Sequence, residues 1–235
     1  MSDIIKSKGW DWQIVSDEHT QTWKNPAPET FYLLSRWKNQ QKQSFLDLGC
    51  GLGRHTILFA KNGFDVSAFD ISEEAITHTS EWAKTENLNI NVKQGDMLNI
   101  PFDNESIDCI LCMNVISHTD TKGMYKIADE LKRVLKSNGE CYLTLGSKET
   151  WGFKQDWPMV DENTKLRDEK GPEYMVPHFY ADYDLIHQLF KDFSIEDIKH
   201  VGTYYTKDSQ TFESWHWHVL LKKNDAIRLK RAYFS

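Results

Sequence analysis

Phe45-Leu46-Asp47-Leu48-Gly49-Cys50-Gly51-Leu52-Gly53-Arg54-His55-Thr56 decides the fold. An apolar run ends in Asp47, three glycines follow at a spacing of two, and a helical pattern begins at once. Glycine is used where the backbone must take positive φ or lie against a ligand. A turn with so little side-chain bulk, opening a helix whose first N–H groups have no intrahelical partner, can hold the sugar and charged tail of a nucleotide-like cofactor. Dinucleotide-binding turns read G-x-G-x-x-G and place a pyrophosphate at the helix N-terminus. Here the glycines stand closer together, and a carboxylate at the strand end repels a pyrophosphate but draws in a cationic group.

Outward from this turn, strands and helices alternate. Strands are expected at 43–48, 65–70, 90–93, 107–113 and 140–145, and helices at 54–62, 73–86 and 122–136. Gly63 and Asn138-Gly139 read as helix ends, and Ser72 as the cap of the second helix. Such alternation means βαβ units, a parallel sheet and helices on both faces. Thr30–Trp37 also has helical spacing. After residue 146 the pattern changes. Residues 147–181 form an aromatic- and proline-containing insert, long for a plain loop and placed where lids and binding loops occur. A short helix (182–191) and two strands (194–201 and 214–222), paired antiparallel, complete the chain. One domain is expected: an N-terminal cap segment (1–42), a cofactor-binding core (43–146), the insert (147–181), a C-terminal helix and hairpin (182–222) and a tail (223–235).

The chain has 235 residues and a formal net charge of -7. No long Lys/Arg run supplies the basic face of a nucleic-acid binder, and Arg228-Leu-Lys230-Arg231 reads as a solvated terminus. Met1–Lys6 lacks the apolar core of a signal peptide, and no run is long enough to span a bilayer. A cytoplasmic protein, with no nucleic acid and no membrane as partner, is expected. Cys109-x-x-Cys112 tempts a metal reading, but residues three apart on a strand point to opposite faces. His216 and His218 share a strand face but have no third ligand nearby. No metal is expected.

In an open parallel sheet the ligand lies beyond the carboxyl ends of the strands. Those ends carry Asp47 to Arg54, Asp70-Ile71-Ser72, Gly95-Asp96-Met97 and Asn114-Val-Ile-Ser-His118. Asp70 is 17 positions after Gly53, near the spacing of an acid that accepts from both ribose hydroxyls. Asp96 is placed for an exocyclic adenine amine, with Ile71 and Met97 on the two ring faces. Arg54 and His55 are candidates for the wall around the cofactor's tail.

These residues together resemble the class I S-adenosylmethionine-dependent methyltransferases, over about residues 43–146. Asp47-x-Gly49-x-Gly51-x-Gly53 is similar to the family's cofactor loop, Asp70 to its ribose-binding acid and Gly95-Asp96-Met97 to its adenine-binding turn. The wording Leu-Gly-Cys-Gly-Leu-Gly-Arg-His looks like its small-molecule branch. The resemblance implies a Rossmann-like, seven-stranded, mostly parallel α/β sheet with an antiparallel last strand. It implies S-adenosyl-L-methionine as cofactor, S-adenosyl-L-homocysteine as product, and Asp47, Gly49, Cys50, Gly51, Gly53, Arg54, Asp70, Ile71, Asp96, Met97 and Asn114 as the cofactor set. An ammonium-bearing cofactor suits Asp47. The Asn/Asp-Pro-Pro-Tyr signature of many methyltransferases acting on amino groups of nucleic acids and proteins is replaced by Asn114-Val-Ile-Ser117-His118. A small-molecule acceptor is therefore expected. His118 is the candidate general base, because an imidazole titrates near neutral pH. Trp151, His178 and Tyr180 of the insert are the candidates for acceptor contacts. Several of the nine tryptophans, Trp10, Trp12 and Trp23 among them, can wall a pocket. The competing readings are a cofactor-binding regulatory domain without turnover and a nicotinamide-dependent oxidoreductase, the latter disfavoured by the glycine spacing and Asp47.

Overall fold

A computed structural model describes residues 7–12, 23–207 and 210–224. The chain start Met1–Lys6, most of the polar stretch before Trp23 and the Arg228–Arg231 cluster lie outside the described residues.

Helix α1 (Pro28–Asn39) precedes the parallel strands β1 (Ser44–Leu48), β2 (Asp65–Asp70), β3 (Ile90–Gln94), β4 (Ile107–Cys112) and β5 (Leu135–Ser147). Helices α2 (Arg54–Lys61), α3 (Glu73–Thr85) and α4 (Thr121–Val134) make the crossovers, and the strand order is β3-β2-β1-β4-β5. Pleat alternation divides the core. Ile110 and Cys112 join Leu131, Val134 and Phe190 on one face, while Cys109 and Leu111 join Leu33, Trp37, Phe45 and Phe59 on the other. The four cysteines are buried and unpaired, with Cys109 and Cys112 on opposite faces as their spacing requires.

Helix α1 is fixed by one buried charge. Glu140 accepts from Arg36 through both carboxylate oxygens (2.9 and 2.8 Å), from Trp37 Nε1 at 2.9 Å and from Gln40 Nε2 at 3.1 Å. Four donors satisfy the carboxylate and compensate its removal from water.

The boundary between α4 and β5 differs from the sequence reading. Helix α4 stops at Val134, and Leu135 already pairs with Ile107. Asn138-Gly139 is not a helix end but a kink inside β5, with Asn138 at φ 59° and the register jumping between Ile107↔Leu135 and Cys109↔Glu140. An Asn-Gly pair serves either geometry, because both need positive φ.

The insert contributes the single turn α5 (Trp151–Lys154) and the short strands β6 (Met159–Asp161), β7 (Thr164–Leu166) and β8 (Pro177–Ala181). After α6 (Tyr183–Leu189), β9 (Phe193–Lys207) and β10 (Gln210–Lys223) form a long antiparallel hairpin, and β10 runs antiparallel to β5. The seven expected strands are thus β1–β5, β9 and β10, and the insert adds three more. At Gly146 the two edges of β5 are occupied by His216 of β10 and Tyr180 of β8. Beside β10, β8 therefore takes the edge that β4 vacates beyond Cys112. Phe179 N–H donates to Ser117 O at 2.8 Å, which ties the insert to the loop after β4. This is how residues distant in sequence come to roof the carboxyl edge of the sheet.

Candidate active site

All three glycines of the turn have left-handed backbones: Gly49 at φ 74°, Gly51 at 52° and Gly53 at 90°. Their absent side chains do different things. A Cβ on Gly49 would lie 2.3 Å from Val115, and one on Gly53 would lie 2.8 Å from Thr79, so both make room for packing. Gly51 lies under Trp12, 3.1 Å from the place of a Cβ, and faces a cavity. Gly51 N–H donates to Asp70 Oδ2 and Ser72 N–H to Asp70 Oδ1, each at 2.9 Å. Asp70 so ties the turn to the end of β2. Each oxygen keeps a further acceptor position. Burial pushes its pKa above the ordinary carboxylate value, and the backbone donors oppose that shift.

The cavity encloses about 820 Å³, part of it open to solvent, a size that suits a nucleoside-sized ligand. Gly49, Cys50, Gly51, Arg54, Asp70, Ile71, Met97 and Asn114 line it, as do His55 and His118. Three expected members are elsewhere. Asp47 is 2% exposed and lies beneath the turn, its Oδ2 accepting from the Thr56 hydroxyl at 2.7 Å. Burial pushes its pKa up to about 6, against the pull of Thr56 and the Arg54 charge. It does not line the cavity, because the strand end turns its side chain toward α2. Gly53 is a packing position and is also absent from the lining. Asp96 Oδ1 accepts from Leu98 N–H at 2.9 Å and from the Ser7 hydroxyl at 2.7 Å. Ser7, not Asp96, reaches the cavity there.

The N-terminal segment supplies the outer wall. Trp10, Trp12 and Trp23 pack edge-on and tilted, with centroids 4.9–6.4 Å apart, and the Arg54 guanidinium lies 4.7 Å from the Trp23 ring. His55 Nε2 accepts from Ala27 N–H at 3.2 Å, and burial lowers its pKa to about 3, so the ring is neutral. The fit to an adenosine-bearing cofactor rests on these features: a Cβ-free turn, an acid with unused acceptor positions, and the apolar side chains of Ile71 and Met97.

A second cavity of about 950 Å³, also partly open, lies under the insert. It brings together Trp151, His178 and Tyr180, the three residues singled out in the insert. Trp151 meets Trp157 and Phe212 edge-on, at 5.5 and 5.1 Å. Trp10, Trp23, Asn114 and His118 border both cavities. Asn114 has φ 58°, rare for a side-chain-bearing residue, and its N–H donates to Thr144 Oγ1 at 2.8 Å. His118 is 8% exposed, and burial lowers its pKa.

Sequence reasoning missed Glu173. Glu173 Oε1 accepts from Trp10 Nε1 at 2.6 Å and stands 3.6 Å from His118 Nε2 and 3.5 Å from His178 Nε2. Arg167 donates to its other oxygen. Burial alone would raise the Glu173 pKa, but the two histidines beside it outweigh burial and hold it well below the carboxylate range. The signal was an acid and a histidine five residues apart around Pro177, with no period of any regular element to mark them.

Fold and site geometry define an open α/β domain with a nucleoside-sized cavity at the carboxyl edge of its sheet. Residues 45–139 match the family described as a methyltransferase domain. A solved methyltransferase from Methanosarcina mazei shares the fold with a TM-score of 0.68 at 21% identity, over 85% of this chain and 99% of that one. The PH0226 protein from Pyrococcus horikoshii does so with a TM-score of 0.65 at 23% identity, over 90% and 93%. A ubiquinone biosynthesis O-methyltransferase of Rickettsia akari is 30% identical over 43% of this chain and 39% of its own length. The release factor glutamine methyltransferase of Streptococcus pneumoniae is 30% identical over 64% and 65%. The chain thus spans less than two thirds of these curated relatives. Over residues 45–139 the chain is similar to methyltransferase domains, and the solved structures share its fold. No helix of the described residues is long and apolar enough to cross a membrane.

Proposed function

We propose that the chain transfers the methyl group of S-adenosylmethionine to a small molecule held in the second cavity. The observation that carries this reading is the meeting of two cavities at Asn114 and His118. Cofactor in the first cavity would take its ribose to Asp70 and its adenine between Ile71 and Met97, with Arg54 and Cys50 near its tail. Its sulfonium would then face the junction. An acceptor against Trp151, His178 and Tyr180 would present its nucleophile from the other side. The sulfonium methyl is already electrophilic, so the protein's work is alignment and exclusion of water, and alignment can lower such a barrier by about 7–11 kcal/mol. Where the acceptor arrives protonated, His118 offers a neutral imidazole at the junction as base.

A small acceptor is favoured over a protein or a base. The second cavity is walled by the insert and the N-terminal tryptophans, and the loop after β4 lacks the Pro-Pro-Tyr run. A cytoplasmic location accords with this reading. The test is turnover. Labelled S-adenosylmethionine, offered with a panel of thiols, phenols, amines and chalcogen anions, should give S-adenosylhomocysteine with a small-molecule subset. Cofactor binding with no turnover on any acceptor would favour a regulatory domain instead.

A further inference from the structure

Three possible metal-ligand atoms converge where the cavities meet. His118 Nε2, Glu173 Oε1 and His178 Nε2 all lie within 4.8 Å of one another. The loop after β4 supplies the first and the insert the other two. The Glu173 oxygen stands almost equally far from the two imidazole nitrogens, at 3.6 and 3.5 Å. A charge-assisted hydrogen bond would draw one of them to about 2.7–2.9 Å. Two ligands on one tetrahedral ion, each about 2.1 Å from it, stand about 3.4 Å apart. The two spacings from Glu173 are those of co-ligands.

The surroundings suit a metal too. His178 Nδ1 lies 2.9 Å from Val176 O, and a carbonyl only accepts. Nδ1 therefore donates to that carbonyl, and Nε2 is the ring nitrogen turned toward Glu173 and His118. Metal-binding histidines are typically oriented by such a backbone contact. The two imidazoles are not stacked, with planes at 62° and centroids 4.9 Å apart. Trp10 Nε1 and Arg167 hold the carboxylate from outside. Arg167 is shared between Glu173 and Glu169, so one positive charge meets two negative ones, and a dication is not repelled.

We infer that His118, Glu173 and His178 bind one divalent transition-metal ion of the Zn²⁺ class, with an open coordination position facing the second cavity. Two imidazoles and one carboxylate suit Zn²⁺, Co²⁺ or Fe²⁺ and disfavour the all-oxygen preferences of Mg²⁺ and Ca²⁺. On the reading of that cavity as the acceptor site, a hydroxyl or thiol of the acceptor would complete the coordination shell. Its proton would leave to water rather than to His118, which is then a ligand. As the methyl–oxygen or methyl–sulfur bond forms, the carbon–sulfonium bond breaks and S-adenosylhomocysteine departs uncharged.

The test does not need turnover. Protein stripped by chelator dialysis is titrated with Co²⁺ and read by its visible ligand-field absorption, then with Zn²⁺ against a chromophoric chelator. We expect one ion per chain, visible bands of a low-coordinate site, and Zn²⁺ affinity at least a hundredfold weaker in Glu173→Gln and in His178→Ala. Thermal stabilisation by S-adenosylmethionine shows that each variant is folded. Superimposable titrations of folded wild type and variants, without ligand-field bands, would overturn the inference and leave the three groups as a metal-free base cluster. Tight binding without methyl transfer to any acceptor would support the metal site and count against the proposed function alone.

Discussion

Asp47 and Asp70 end neighbouring strands, and their surroundings give them different work. Asp70 borders the cavity with unused acceptor positions on both oxygens. Asp70→Ala should weaken S-adenosylmethionine binding at least tenfold by calorimetry, since charge-assisted hydrogen bonds are worth about 1.5–3 kcal/mol. Gly51→Val should be more severe, because the new side chain meets Trp12 and the backbone stands at φ 52°. Asp47 instead affects stability. Its folded pKa near 6 exceeds the ordinary 3.8, so between those values the folded chain holds more protons than the unfolded one. Stability from this group is full below about pH 4 and is lost as pH rises to about 6, leaving a cost of about 3 kcal/mol at pH 7. Asp47→Asn should flatten that slope and raise stability at pH 7 by up to that amount in urea titrations. A variant with unchanged slope and midpoint would show that the buried carboxyl is not the source.

Among the elements, α1 hangs on Glu140. Glu140→Ala leaves Arg36 without its buried partner, and loss of such a pair costs about 3–5 kcal/mol. The low end is expected, because Arg36 is partly exposed and can rehydrate. The urea midpoint should fall with little change in the slope. The insert concerns turnover: Trp151→Ala should lower methyl transfer more than cofactor affinity, measured on the same preparation. The parallel core was legible because alternation, glycine spacing and caps are local signals, and β2 falls on the expected 65–70. Asn138-Gly139 misled because the same dipeptide serves a helix end and a kinked strand. The directions of the Asp47 and Asp96 side chains were not legible, because a strand end is a place, not a direction. Which way a carboxylate turns depends on Thr56 and Ser7, whose hydroxyls no local pattern connects to it. Glu173 was illegible for a related reason. Its partners Trp10, His118 and His178 come from three separate parts of the chain and meet only when β8 takes the edge beyond β4.

At the scale of the molecule, the sheet's carboxyl edge is divided into two chambers, and the account depends on which ligand enters which. The N-terminal tryptophans close both from outside, and Asn114 and His118 stand between them. A crystal structure with S-adenosylhomocysteine tests this most directly. We expect the ribose hydroxyls on Asp70, the adenine beside Ile71 and Met97, and the sulfur at the junction, open toward His118 and the chamber of Trp151, His178 and Tyr180. A ligand whose sulfur points away from that chamber, or whose ribose lies off Asp70, would contradict it.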